Sequence, residues 1–259
     1  MSFFHIFLLA VLEGVTEFLP ISSTGHLILL SHFLAISPSD FLKLFMIVIQ
    51  LGAIGAVIFF YWEKLVKISL IKKLIVGFIP SGVMGFLFYK HIVALLGEGL
   101  TVAVMLLLGG VIIILVELWY AKQKFDGELR TTHELSYKES FILGLFQIFA
   151  LIPGTPRSAS VIVGGLLLKL ERSVVTEFAF LLAVPTMLAA TLYSLFKNRD
   201  ILLVAGNIPK LVFGALIAFV VALLVIKWLL TYIKRHSFIP FGIYRILLGS
   251  ILLVIFLSR

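Results

Sequence analysis

Residues 12–29 read LEGVTEFLPISSTGHLIL, and the reading of this stretch decides the rest of the chain. Within it lie two carboxylates (Glu13, Glu17), three hydroxyls (Ser22, Ser23, Thr24), Pro20, Gly25 and His26. The flanks, HIFLLAV before it and LLSHFLAI after it, would dissolve in hydrocarbon. Ionisable groups in such a run are costly and mark a functional site by default. Pro20, the Ser-Ser-Thr run and Gly25 also break the segment. Each half is then too short to cross a core of ~30 Å at about 1.5 Å per residue. Broken segments at membrane depth are tolerated where they pack in protein or line a cavity. The spacing therefore predicts a re-entrant helical hairpin or a discontinuous helix.

The remainder of the chain places that hairpin in a membrane. Of 259 residues, 61% are hydrophobic and only 13% are charged, against about 25% charged in a soluble domain. Apolar runs of about 20 residues recur along the whole length, which predicts an all-α polytopic bundle in one membrane domain and argues against a barrel. No cysteine is present, so disulfides, thiol catalysis and thiolate metal sites are excluded. The first segment lacks a basic n-region and a small-residue cleavage site, so it is not read as a removable signal peptide. The net charge of +8 is assigned to loops facing anionic lipid, and nucleic acid is not an expected partner.

Three ordinary spans are expected after the hairpin, at about 41–62, 74–91 and 100–120, separated by a Lys-rich loop (63–73) and a turn at 97–99. The longest polar stretch, residues 121–138, divides the chain near its midpoint. Residues 139–170 are again apolar and again broken by proline and small polar residues (LIPGTPRSASVIVGG), and spans at about 174–196, 210–231 and 240–257 follow. Setting Pro20 over Pro153 aligns the two breaks. A hairpin returns to the side it entered, and three spans cross an odd number of times. Residues 139–259 are therefore an inverted repeat of residues 1–120, with a site expected between the halves. Most Lys and Arg residues, among them Lys64, Lys67, Lys138, Lys227 and Lys234, fall on one face. The positive-inside rule makes it cytoplasmic, with both termini outside.

Glu13 and Glu17 are four apart, on one face of a helix. Two buried carboxylates that close share a proton or are offset by a cation, which suits general acid/base work or a divalent metal held by oxygen ligands. Ser23 and His26 are three apart. A helix starting after Pro20 would present free N–H groups to a phosphate, and a serine there is either a nucleophile, with His26 or a glutamate taking its proton, or simply a cap. Arg157, at the start of an apolar run, needs an anionic partner. It either pairs with Glu13 or Glu17 or clamps a phosphate, and the phosphate is favoured. Gln50 and Gln147 either line the site or satisfy neighbouring groups, and the glycines of GAIGA and LLLGG are read as helix-packing positions.

With these residues in view, the chain resembles the undecaprenyl-diphosphatases, also called bacitracin-resistance proteins. EGVTEFLPISSTGHLIL is similar to the family's glutamate-rich motif, and LIPGTPRSASVIVGG to its Pro-Gly-x-Ser-Arg-Ser motif. The resemblance implies a plasma-membrane hydrolase that converts undecaprenyl diphosphate, a polyprenyl diphosphate lipid, to the monophosphate, recycling the carrier for cell-wall synthesis. Position by position it implies Glu13, Glu17, Ser23, His26 and Arg157 as catalytic residues. Ser22, Thr24, Gly154, Thr155, Ser158 and Gln50 are the expected substrate-binding residues. It also implies a divalent cation, Mg2+ or Ca2+, on Glu13 and Glu17. Membrane lipids and a second copy of the chain, as a homodimer, complete the expected partners. The second motif carries Pro156, Ala159 and Val161 where the family pattern has serine, glycine and threonine. Pro156 offers neither N–H nor hydroxyl; Thr155, Ser158 and Ser160 are the remaining hydroxyls. The alternative class is a polyprenyl-phosphate flippase or an ion-coupled transporter, because broken helices in inverted repeats are equally typical of transporters.

Overall fold

A computed structural model describes residues 1–88, 92, 99–125 and 135–258. The chain is all-α, with no strand among the described residues. Ten principal helices are labelled here: α1 Phe3–Thr16, α2 Ser23–Phe33, α3 Asp40–Phe60, α4 Ile68–Leu87, α5 Gly99–Phe125, α6 Tyr137–Gln147, α7 Arg157–Leu167, α8 Arg172–Lys197, α9 Asn207–Ile233 and α10 Ile239–Leu257. Six of them (α3, α4, α5, α8, α9 and α10) are long and apolar enough to cross a membrane. The remaining four are short and form two pairs, α1/α2 and α6/α7, which are the two broken segments. Single helical turns at Trp62–Leu65 and Arg199–Leu202 join α3 to α4 and α8 to α9.

Local chemistry sets the helix ends. Ser39 caps α3 by accepting from the Leu42 N–H at 3.1 Å. Ser136 and Glu139 form a reciprocal capping box at the start of α6, with bonds of 3.2 and 2.7 Å. Two span boundaries differ from expectation. α4 begins at Ile68 rather than near 74, so Lys72 and Lys73 are helical; long Lys stems can follow apolar surface while the ammonium reaches water. α5 runs to Phe125, into the stretch read as a loop, through strong helix formers such as Ala121, Lys122 and Gln123. The 97–98 turn, Lys90, Arg130, His133 and Arg259 lie outside the described residues.

α1 packs on α9 and α3, α6 on α4, α3 on α8 and α9, and α5 on α10. Close approach needs glycine at particular points. A Cβ on Gly52 would collide with the Ala215 backbone of α9, and one on Gly109 with the Arg245 guanidinium. The GAIGA glycine thus serves packing as read, while the first glycine of LLLGG makes room for a side chain. The larger apolar core joins the two breaks directly. Phe18, Leu19 and Ile21 pack in one cluster with Ala159, Val161, Ile162 and α8, and Phe18 meets Phe180 edge-to-face at 5.0 Å.

Candidate active site

The α1 helix carries Glu13 and, at its last turn, Glu17; both side chains are buried. The chain then reverses through Phe18–Ile21. Ser22 sits at φ 74° and ψ 90°, a conformation rare for a residue with a side chain. That strained residue is the α2 cap, its Oγ accepting from the Gly25 N–H at 3.4 Å. Because Ser22 does the capping, the Ser23 hydroxyl is free for another role, and it donates to Glu17 Oε2. Of the two roles weighed for the serines, capping falls to Ser22.

From the opposite segment, Arg157 is the first residue of α7 and donates from Nη2 to Glu17 Oε1. One carboxylate therefore binds serine on one oxygen and arginine on the other. Glu13 lies close enough to feel the charges of Glu17 and Arg157. Its two oxygens are buried with no hydrogen-bond partner among the described residues, an arrangement that an ionised carboxylate tolerates poorly without a cation or a proton.

His26 does not reach Ser23. Its Nδ1 is 2.7 Å from the Ser22 carbonyl, which can only accept, so Nδ1 carries the proton; Nε2 then accepts from the Tyr244 hydroxyl at 2.7 Å. The expected alternative in which His26 takes the serine proton is not supported by this geometry, and Glu17 occupies that position instead. Ser158 is buried and donates to the Leu19 carbonyl at 3.2 Å, tying the two segments together. Thr24 and Thr155 are half-buried, and the Thr155 N–H closes a turn onto Ile152 O at 3.0 Å. Gly154, at φ 93°, could not carry a Cβ without approaching Val102 O to 2.8 Å. Gln50 is half-buried on α3 and makes no hydrogen bond with the cluster. Gln147 donates to Ser81 at 2.7 Å and Thr186 at 3.0 Å.

Two residues of α10 at this site were not singled out from the sequence. Tyr244 orients His26. Arg245 is fully buried and donates to Leu106 O (3.3 Å), Pro20 O (3.3 Å), Met105 O (2.8 Å) and Gly154 O (3.4 Å). It binds the backbone of both broken segments at their breaks. The available signal was a single charge inside the apolar run FGIYRILLGSILLVIFL.

Six apolar spans, with a buried acid pair, a serine and an arginine brought together from two broken segments, define a polytopic membrane protein with an oxygen-rich, phosphate-compatible site. The chain belongs to the bacitracin resistance protein BacA family, whose model matches residues 6–251. Similar proteins named undecaprenyl-diphosphatase occur in Campylobacter fetus subsp. fetus (49% identical, covering 98% of this chain and 99% of the relative). Others are from a Sulfurihydrogenibium species (48%, covering 93% and 94%) and Wolinella succinogenes (48%, covering 98% of each).

Proposed function

We propose that this protein is a membrane phosphatase that hydrolyses undecaprenyl diphosphate to the monophosphate and inorganic phosphate, recycling a lipid carrier for cell-wall synthesis. The observation that carries the reading is the shared Glu17 carboxylate, which accepts from Ser23 on one oxygen and from Arg157 on the other. A diphosphate offers Arg157 a competing anion. Its transfer to the phosphate oxygens leaves Glu17 free to act as a base. Ser23 Oγ then attacks the terminal phosphorus while its proton passes to Glu17. The bond from that phosphorus to the bridging oxygen breaks, and the polyprenyl monophosphate leaves with the electron pair. Water cleaves the Oγ–P bond in the second step, releasing phosphate, and the proton returns to Ser23.

The donor set suits a hard divalent cation such as Mg2+ or Ca2+. Glu13 has two buried oxygens without partners, and such ions are commonly held by one or two carboxylates together with substrate phosphates. No cluster of three or more ligating side chains occurs among the described residues, so Glu13 and Glu17 would hold the ion with help from the diphosphate. Its contribution is neutralisation of phosphate charge. The α2 N-terminus, Thr24 and Thr155 are the remaining candidates for phosphate contact. Ser158, engaged with Leu19, serves better as a strut between the segments.

The architecture belongs to the same proposal: one membrane domain, with residues 1–120 and 139–259 as inverted repeats joined by 121–138, each opening with a re-entrant pair. Support comes from the cross-packing. α1 lies on α9 and α6 lies on α4, and these partners occupy equivalent places in opposite halves. Both termini face outward in this reading.

The test is phosphate release from a long-chain prenyl diphosphate by the purified protein. Ser23→Ala should lower kcat by about 10²–10⁴-fold, the range for loss of a principal catalytic group, and Glu17→Ala or Arg157→Ala should abolish release. Full activity in both of the last two variants would overturn the assignment. Translocation of prenyl phosphate across liposomes without phosphate release would favour a carrier instead.

A further inference from the structure

Away from the acid–serine–arginine cluster, a groove of about 1000 Å³ lies between the end of α3, the start of α8 and the later turns of α9. None of its lining residues belongs to the cluster. Part of its wall is apolar, formed by Ile58, Phe59, Phe219 and Leu230, and the carboxylates Glu63 and Glu177 line it beside Lys64. Lys227 of α9 and Lys234, the residue that caps its C-terminal end, lie on the rim, seven residues and so about two turns apart on the same side. Both are exposed, and neither ammonium group has an ion-pair or hydrogen-bond partner among the described residues. The third lysine of the groove, Lys64, is already taken by Glu177 at 2.6 Å.

Tyr61 adds an independent sign of an absent partner. It lines the groove, is 5% exposed, and its hydroxyl is buried with no hydrogen-bond partner among the described residues. A phenol keeps its proton at neutral pH, so the group is a hydrogen-bond donor there. A buried hydroxyl is normally paired, and one left over in a lined groove asks for an acceptor. Phe59 and Trp62, 70% and 62% exposed, stand at the groove. Tyr61 and Trp62 at the end of a span mark the level at which headgroups meet acyl chains. An apolar slot, two unpaired ammonium groups at its rim and an unused O–H donor within it match an amphiphile with an anionic head.

We propose that this groove binds an anionic phospholipid of the surrounding bilayer, with its phosphate on Lys227 and Lys234 and an acyl chain against Ile58, Phe59 and Phe219. Tyr61 supplies a hydrogen bond to a phosphate or ester oxygen. The proposal does not depend on the phosphatase reading, because binding is measured without turnover.

Full-length protein in detergent is loaded with phosphatidylglycerol or with phosphatidylcholine of the same acyl chains, and retained lipid is counted by native mass spectrometry. Phosphatidylglycerol should be retained about tenfold better, a preference two surface lysines can support. Lys227→Gln/Lys234→Gln should bring its retention down to the phosphatidylcholine level, and Tyr61→Phe should lower retention about twofold. Each variant should melt with the wild-type protein in phosphatidylcholine and release phosphate at the wild-type rate. An unchanged lipid preference in the double variant overturns the site. Displacement of phosphatidylglycerol by equimolar glycerol 3-phosphate or by undecaprenyl phosphate overturns the assigned occupant.

Discussion

Arg245 carries a full charge into the interior and meets no carboxylate among the described residues; its acceptors are four backbone carbonyls from three parts of the chain. Met105 and Leu106 are interior to α5, where their carbonyls also serve the helix, but the Pro20 and Gly154 carbonyls lie at the two breaks. Without the guanidinium those two would be buried with no donor among the described residues. Arg245→Met should therefore lower stability by about 2–4 kcal/mol, since each orphaned buried group costs roughly 1–3 kcal/mol. Thermal unfolding in detergent checks the loss, and Arg245→Lys should recover only part of it because an ammonium cannot reproduce the planar fork. Tyr244 makes a different prediction. Its one bond to His26 fixes the ring that in turn holds the Ser22 carbonyl, so Tyr244→Phe should reduce kcat by roughly fivefold, about 1 kcal/mol. The effect should be non-additive with His26→Ala, as for two members of one network; independent effects in the double-mutant cycle would remove the positioning role. The residues of the site differ in how far they were legible. Glu13, Glu17, Ser23 and Arg157 stand out because polar groups are expensive in an apolar run. The partners of His26 and Arg245 could not be read, because Tyr244 is 218 positions from His26 and the carbonyls that receive Arg245 are up to 225 positions away.

At the scale of helices, the two broken segments depend on locks outside them. Glu117 on α5 is buried and receives Arg172 of α8 through both Nε and Nη2. It also receives the Phe238 N–H at 2.9 Å, just before α10. Arg172 stacks 4.7 Å from the Tyr120 ring, and the Tyr120 hydroxyl donates to Leu170 O at 2.9 Å, at the exit of α7. One buried cluster thus fixes α5, α7, α8 and α10 together. Glu117→Gln should destabilise the protein by about 3 kcal/mol, the low end of the range for breaking a buried pair, because it leaves the half-buried Arg172 without its counter-charge. Near-wild-type melting of this variant would show that the charge, as distinct from the hydrogen bonds, contributes little. The six long helices were legible from hydropathy alone, since a span of apolar residues admits few other fates. Their ends were less so. α4 starts early and α5 ends late because Lys and Gln are good helix formers that also read as loop residues in a polarity count. The break in the second segment was legible from Pro153, Gly154 and Pro156. Its consequence, a left-handed Gly154 whose carbonyl faces Arg245, depends on contacts between distant parts of the chain.

The whole molecule poses the question of how many times the chain crosses the membrane. If α1/α2 and α6/α7 are re-entrant, the six long helices are the crossings among the described residues, and the two halves begin on opposite faces. If each pair crosses once, there are eight. The two schemes assign opposite sides to the ends of the first pair, since a re-entrant pair returns Ser37 to the side of Ser2 whereas a crossing pair separates them. Charge favours re-entry: with six crossings Lys64, Lys67, Lys138, Lys227 and Lys234 share one face, as the positive-inside rule requires. The absence of cysteine makes the question directly accessible, since each introduced thiol is the only one present. In right-side-out vesicles, single cysteines at Ser2, Ser37 and Val204 should react with a membrane-impermeant maleimide. Those at Lys67, Lys138 and Arg235 should react only after permeabilisation. Labelling of Ser2 and Ser37 from opposite sides would eliminate re-entry of the first pair.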